Sequence, residues 1–136
     1  MRTLGPVPES AAAARDFVED TLDEWGLREV VDDVRLVVSE LVTNVIRHAR
    51  TRATVTLRRH GRRVRLAVGD EAPITARVGG YEEPEQLQDG RGHGLVLVKA
   101  LSDDWGVDLD SRGKSVWAEW DVASTAVDVP NEAANG

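Results

Sequence analysis

Cysteine is absent from the 136 residues. That excludes disulfide scaffolds, thiol nucleophiles and zinc sites built on thiolates. Aromatic residues are scarce: four Trp, one Tyr and one Phe. No apolar run approaches the ~20 residues that a membrane-crossing helix needs, and residues 1–8 lack the apolar centre of a secretion signal. Positive charge is in deficit, with 17 Lys+Arg against 24 Asp+Glu and a formal net charge of −7. That balance argues against direct nucleic-acid binding, which depends on neutralising phosphates with Lys and Arg. These absences predict a soluble cytoplasmic protein that does not engage membranes. The length suits a single domain of the usual ~100–200 residues, large enough to bury roughly two-thirds of its surface without staples.

Periodicity supplies the elements. Residues 9–25 read as a helix with Ala14, Phe17, Val18, Thr21, Leu22 and Trp25 on one face. Pro8 stands at its start, Ser10 is its candidate cap, and Gly26 its stop. A second helix is predicted over 28–49, free of Gly and Pro and dense in valine. The period then changes to two. Residues 51–60 and 63–69 alternate around Gly61-Arg62, which predicts an antiparallel hairpin. Residues 70–92 are rich in Gly, Pro and charge, a loop longer than the ~12–15 residues beyond which such segments are usually functional or disordered. A short helix follows over 94–101, then strands at 104–109 and 115–122 around a turn at 111–113. Residues 123–136 are small and polar without period and read as a disordered tail, leaving 1–122 as the domain. The fold class that results is α+β: a two-layer α/β sandwich whose mixed, mainly antiparallel sheet carries three helices on one face.

Three features carry chemistry. On the second helix, with Glu40 at zero, Asn44 falls at about 40° and His48 at about 80°, one polar stripe at the margin of a wide apolar arc. A carboxylate and an amide placed there would face a cleft, although the stripe alone also suits a solvated helix edge. Gly90-Arg91-Gly92-His93-Gly94-Leu95 opens the third helix, where closely spaced glycines and a helix N-terminus suit phosphate oxygens, or equally a simple loop end. The run fails the dinucleotide fingerprint because position 95 is Leu, and Gly113-Lys114-Ser115 fails the P-loop pattern because the upstream glycine position is Asp108. Asp70 closes the strand RVRLAVGD, where it could cap a turn or read a base. Taken together, an Asn beside phosphates can hold Mg²⁺, a neighbouring Glu can accept a proton from an attacking hydroxyl, and an ionised Asp can accept the exocyclic amine of adenine.

The segments SELVTNVIRHA (39–49), VGDEAP (68–73), GRGHGL (90–95) and GKSVWAEW (113–120), in that order, resemble the GHKL-type (Bergerat) ATP-binding fold of histidine-kinase ATPase domains and gyrase. Within it they are most similar to bacterial anti-sigma-factor serine/threonine kinases and their stand-alone relatives. The resemblance spans about residues 9–122. It implies that Asn44 binds ATP-bound Mg²⁺, that Glu40 is the general base, and that Asp70 bonds adenine. It further implies that Gly92 and Gly94 form the phosphate-side end of the ATP lid with Leu95 next to them, and that Ser115 supports Asp70. Arg47, His48, Arg91 and His93 are lesser candidates for phosphate contact. By the same resemblance the protein would phosphorylate a small antagonist protein and regulate a sigma factor or similar partner, with homodimerisation common among such proteins. One departure stands out. The box that usually reads D-x-G-x-G is Asp70-Glu71-Ala72-Pro73-Ile74, so the lid base is stiffer than in the pattern. A degenerate nucleotide- or partner-binding module is the alternative reading.

Overall fold

The computed structural model describes residues 1–72, 93–110 and 113–122. Most of the predicted long loop, the middle of the last turn and the predicted tail lie outside the described residues. In chain order the elements are β1 (Arg2–Leu4), α1 (Glu9–Glu24), α2 (Val31–Asn44), β2 (Ala53–His60), β3 (Arg63–Gly69), α3 (His93–Leu101), β4 (Asp104–Asp110) and β5 (Gly113–Asp121). A single 3₁₀ turn, Arg28–Val30, leads into α2, and a π turn, Val45–Ala49, follows it.

The local chemistry explains the boundaries of α1. Alanines favour the helix, and Glu9 in its first turn suits the positive end of the dipole. Ser10 does not cap it: the helix starts from Pro8 without a side-chain cap, and Ser10 Oγ instead donates to the Gly5 carbonyl at 2.6 Å. That bond ties the helix start to the chain leaving β1. The end is a Schellman motif. Gly26 takes φ +72°, its N–H donates to the Asp23 carbonyl at 3.0 Å, and Leu27 N–H donates to the Leu22 carbonyl at 2.9 Å. Leu22 and Leu27 are both fully buried, which adds the hydrophobic contact the motif favours.

The five strands form one sheet in the order β1-β2-β3-β5-β4, and every neighbouring pair is antiparallel. Among the described residues the sheet is therefore antiparallel throughout rather than mixed. β1 is an addition to the four strands legible in the sequence. At three residues it is too short to show a period, and it exists by pairing Arg2, Thr3 and Leu4 with Val55, Thr54 and Ala53. Register sets the two faces. Leu57 stands opposite Leu66, Leu66 opposite Ala118, and Val68 opposite Val116, so one face of the sheet is apolar. That face packs on Val18 and Leu22 of α1, on Val34, Val37, Val38, Leu41 and Val42 of α2, and on Leu95 and Val98 of α3 in one core. Valine is a middling helix former, so α2 owes its stability to this burial more than to propensity. Trp120 Nε1 donates to the Leu101 carbonyl at 2.7 Å and fixes the C-terminus of α3 to β5. Among the described residues, no helix is long and apolar enough to cross a membrane.

Candidate functional site

Glu40 and Asn44 lie one turn apart near the end of α2, both half-buried. Among the described residues Glu40 has no hydrogen bond or ion pair, while its neighbour Ser39 is held from α1 by Arg15 Nη1 at 2.9 Å. Asn44 is more informative. Its Nδ2 is fully buried and has no hydrogen-bond partner among the described residues. A buried amide left unmade costs about 1–3 kcal/mol, which the fold carries at this one position of α2.

Directly after Asn44 the helix widens. Arg50 N–H donates to the Val45 carbonyl at 2.7 Å, an i→i+5 bond, and Arg50 itself takes φ +58°. Such π turns are rare and concentrate at functional sites. The wider turn means that a uniform α-helical wheel does not hold past Asn44. Arg47 and His48, both on this wider turn, are exposed.

Asp70 follows β3 on the helix-facing side of the sheet, in phase with Val64, Leu66 and Val68. Its side chain is 1% exposed. Oδ1 accepts two backbone N–H bonds, from Ala72 and from Lys114, each at 3.1 Å. The Asp70 N–H donates to the Lys114 carbonyl at 2.8 Å. Lys114 Nζ stands 3.4 Å from Oδ2, and the lysine side chain is only 6% exposed. Gly113 makes this approach feasible: a Cβ there would lie 2.2 Å from the Asp70 carbonyl oxygen.

Lys114, rather than the expected Ser115, is thus the β5 residue in contact with Asp70. Strand alternation gives the reason. Lys114 shares its face with Val116, Ala118 and Trp120, whereas Ser115 stands opposite Gly69 and Asp108 on the face away from the helices. The signal was present in the sequence as a lysine standing in phase with an apolar series.

Short links bring the end of α2 and Asp70 to the same end of the sheet. Thr54 pairs with Gly69, Thr51 Oγ1 accepts from Glu71 N–H at 3.0 Å, and Arg52 Nη2 meets Glu71 Oε2 at 2.9 Å. The Arg52–Glu71 pair is exposed, so it orients these links more than it stabilises them. Of the glycine-run candidates, Arg91 and Gly92 lie outside the described residues. His93 and Gly94 open α3 at the end away from Trp120. Leu95 is 3% exposed and belongs to the core, so its part is packing.

The sequence profile described as the histidine kinase-like ATPase domain matches residues 6–120. No curated protein matches the chain.

Proposed function

The chain belongs to the histidine kinase-like ATPase family, and from that premise we propose that it binds Mg·ATP at the end of α2 and acts as a serine/threonine protein kinase. Its substrate in this reading is a small antagonist protein, and its regulated partner a sigma factor or similar protein, in the cytoplasm. In this reading residues 1–122 form the ATP-binding unit.

The observation that carries the nucleotide reading is the orphaned amide of Asn44. The orphaned atom is an N–H donor, which suits a phosphate oxygen, and the oxygen of the same side chain is then available to a cation. A single amide ligand such as Asn44 suits Mg²⁺ that arrives on phosphates and keeps several waters. When bound, that ion supplies charge neutralisation between the phosphates. The chain's own residues do the rest: Asn44 orients, Asp70 accepts the amine of the base, and Glu40, one turn from Asn44, accepts the proton of an attacking hydroxyl.

Titration calorimetry with Mg·ATP tests the reading. Micromolar binding is expected for the wild-type protein, with loss of at least tenfold in Asn44→Ala. Because Asn44 Nδ2 has no partner to lose among the described residues, the same substitution should leave thermal stability unchanged or raise it by up to about 1 kcal/mol. A large loss of stability together with unchanged binding would reverse the assignment. Transfer of label from γ-labelled ATP to an antagonist protein, abolished in Glu40→Gln, tests the kinase step. The lid-base sequence Asp70-Glu71-Ala72-Pro73 favours the second reading, a module that binds nucleotide without transferring phosphate. Binding with no transfer in the presence of the cognate protein would select it.

A further inference from the structure

The geometry points to Lys114 as a second base-reading residue, one that donates to the ring nitrogen N1 of adenine while Asp70 accepts from the 6-amino group. The inference rests on the ATP-binding reading of the site and adds to it a specificity-determining residue on β5.

Three observations support it. First, both side chains are deeply buried, at 1% for Asp70 and 6% for Lys114. Taking a carboxylate and an ammonium out of water costs several kcal/mol for each ion, and an apolar pair of the same shape is often as stable or more so. Stability is therefore a poor reason for the pair. Second, the pair is held in a fixed order. Two backbone N–H bonds at 3.1 Å pin Oδ1 of Asp70, and one of them comes from the backbone of Lys114 itself. The carboxylate cannot turn over, and its second oxygen is the one that stands 3.4 Å from the ammonium. Third, the approach is built into the backbone, since only glycine fits at position 113 against the Asp70 carbonyl.

The result is an acceptor and a donor side by side with a fixed polarity. An ionised carboxylate only accepts, and an ammonium only donates. The pairing edge of adenine presents a donor at its 6-amino group beside an acceptor at N1, which is complementary. Hypoxanthine and guanine present the reverse, a carbonyl at position 6 beside an N–H at N1. They would set their carbonyl against Asp70 and their N–H against Lys114. Asp70 alone would recognise an exocyclic amine; with Lys114 the site reads two adjacent atoms.

The test is calorimetry with ATP, 1-deaza-ATP, which lacks the N1 acceptor, and inosine triphosphate, each with Mg²⁺. The wild-type protein is expected to bind 1-deaza-ATP at least tenfold more weakly than ATP, the scale of one hydrogen bond to a charged group, and inosine triphosphate more weakly still. Lys114→Met keeps the length of the buried stem and removes the donor. It should weaken ATP by a similar factor and bring ATP and 1-deaza-ATP to equal affinity. A merely structural lysine would weaken both nucleotides alike and keep their ratio, which overturns the proposal. Equal binding of ATP and 1-deaza-ATP by the wild-type protein overturns it without any substitution, while leaving the ATP-binding reading intact. Binding of neither nucleotide overturns both.

Discussion

Replacing Gly113 by alanine tests the contact on which the sheet end of the site depends. A Cβ at that position would lie 2.2 Å from the carbonyl oxygen of Asp70, 3.0 Å from its carbonyl carbon and 3.1 Å from Oδ1. The nearest obstacle is backbone, so no rotamer change relieves it, and the start of β5 must retreat by roughly 1 Å or more. Two bonds span that gap: Asp70 N–H to the Lys114 carbonyl at 2.8 Å and Lys114 N–H to Asp70 Oδ1 at 3.1 Å. The first is worth about 1 kcal/mol and the second, to a charged acceptor, about 1.5–3 kcal/mol. Partial fraying of the β5 start avoids part of the loss, so we expect Gly113→Ala to cost about 2–4 kcal/mol. In a domain of this size that corresponds to a fall in melting temperature on the order of 10 °C. Urea titration gives the free energy, and Mg·ATP calorimetry on the same variant should show weakened binding, because Asp70 and Lys114 are no longer held together. Gly5→Ala is the control: nothing lies within 4 Å of its added Cβ, so its effect should stay within about 0.5 kcal/mol. A loss below about 1 kcal/mol in Gly113→Ala, or an equal loss in both variants, would refute the steric reasoning.

Two further predictions concern elements outside the site. Glu119 is 14% exposed and accepts hydrogen bonds from Arg63 at 2.6 Å and Arg65 at 3.1 Å. Burial alone would raise its carboxyl pKa, but the two arginines outweigh burial and hold it below the ordinary glutamate range. A lowered folded-state value gives stability that is complete above the unfolded-state pKa and is lost as pH falls through the folded one. Glu119→Gln should therefore cost about 1 kcal/mol at neutral pH, after allowing for the exposure of the arginines, with the deficit closing in acid. A deficit of the same size across the acid range would count against the argument. Trp120→Phe removes the 2.7 Å bond to the Leu101 carbonyl and leaves a gap beside it. It should cost about 2–3 kcal/mol and raise hydrogen exchange selectively in the last turn of α3, and uniform exchange along α3 would show that this anchor is not local.

Much of the architecture was legible in the chain because its signals are local. Alternation in 53–60, 63–69 and 113–121 reveals which residues face the core, and the dense valines of 31–44 reveal a helix with a broad buried face. Gly26 marks a helix end within a residue or two. The elements without a local period were not legible. β1 is three residues long and is a strand only because β2 offers it an edge. The π turn after Asn44 depends on where the chain must go to enter β2. Ser10 had the look of a cap, but a carbonyl five residues back offered its hydroxyl a better partner.

The candidate site divides along the same line. Glu40 and Asn44 were readable together because four residues of one helix put them on one side. Asp70 was readable as a strand-end carboxylate, but its partner was not. Nothing local links Asp70 to Lys114, which lies 44 residues away. Their meeting requires β5 to pair with β3 across the segment that includes α3, in the register that sets Gly69 opposite Ser115. Sequence by itself determined the secondary elements that carry a local period, the faces they bury and the family, since each depends on residue spacing within a segment. Only the tertiary structure decided which residue of β5 stands beside Asp70 and that Asn44 Nδ2 has no partner among the described residues. Strand register and burial are properties of neighbours distant in sequence, and a shift of one residue would have turned Lys114 to the other face and Ser115 toward the helices.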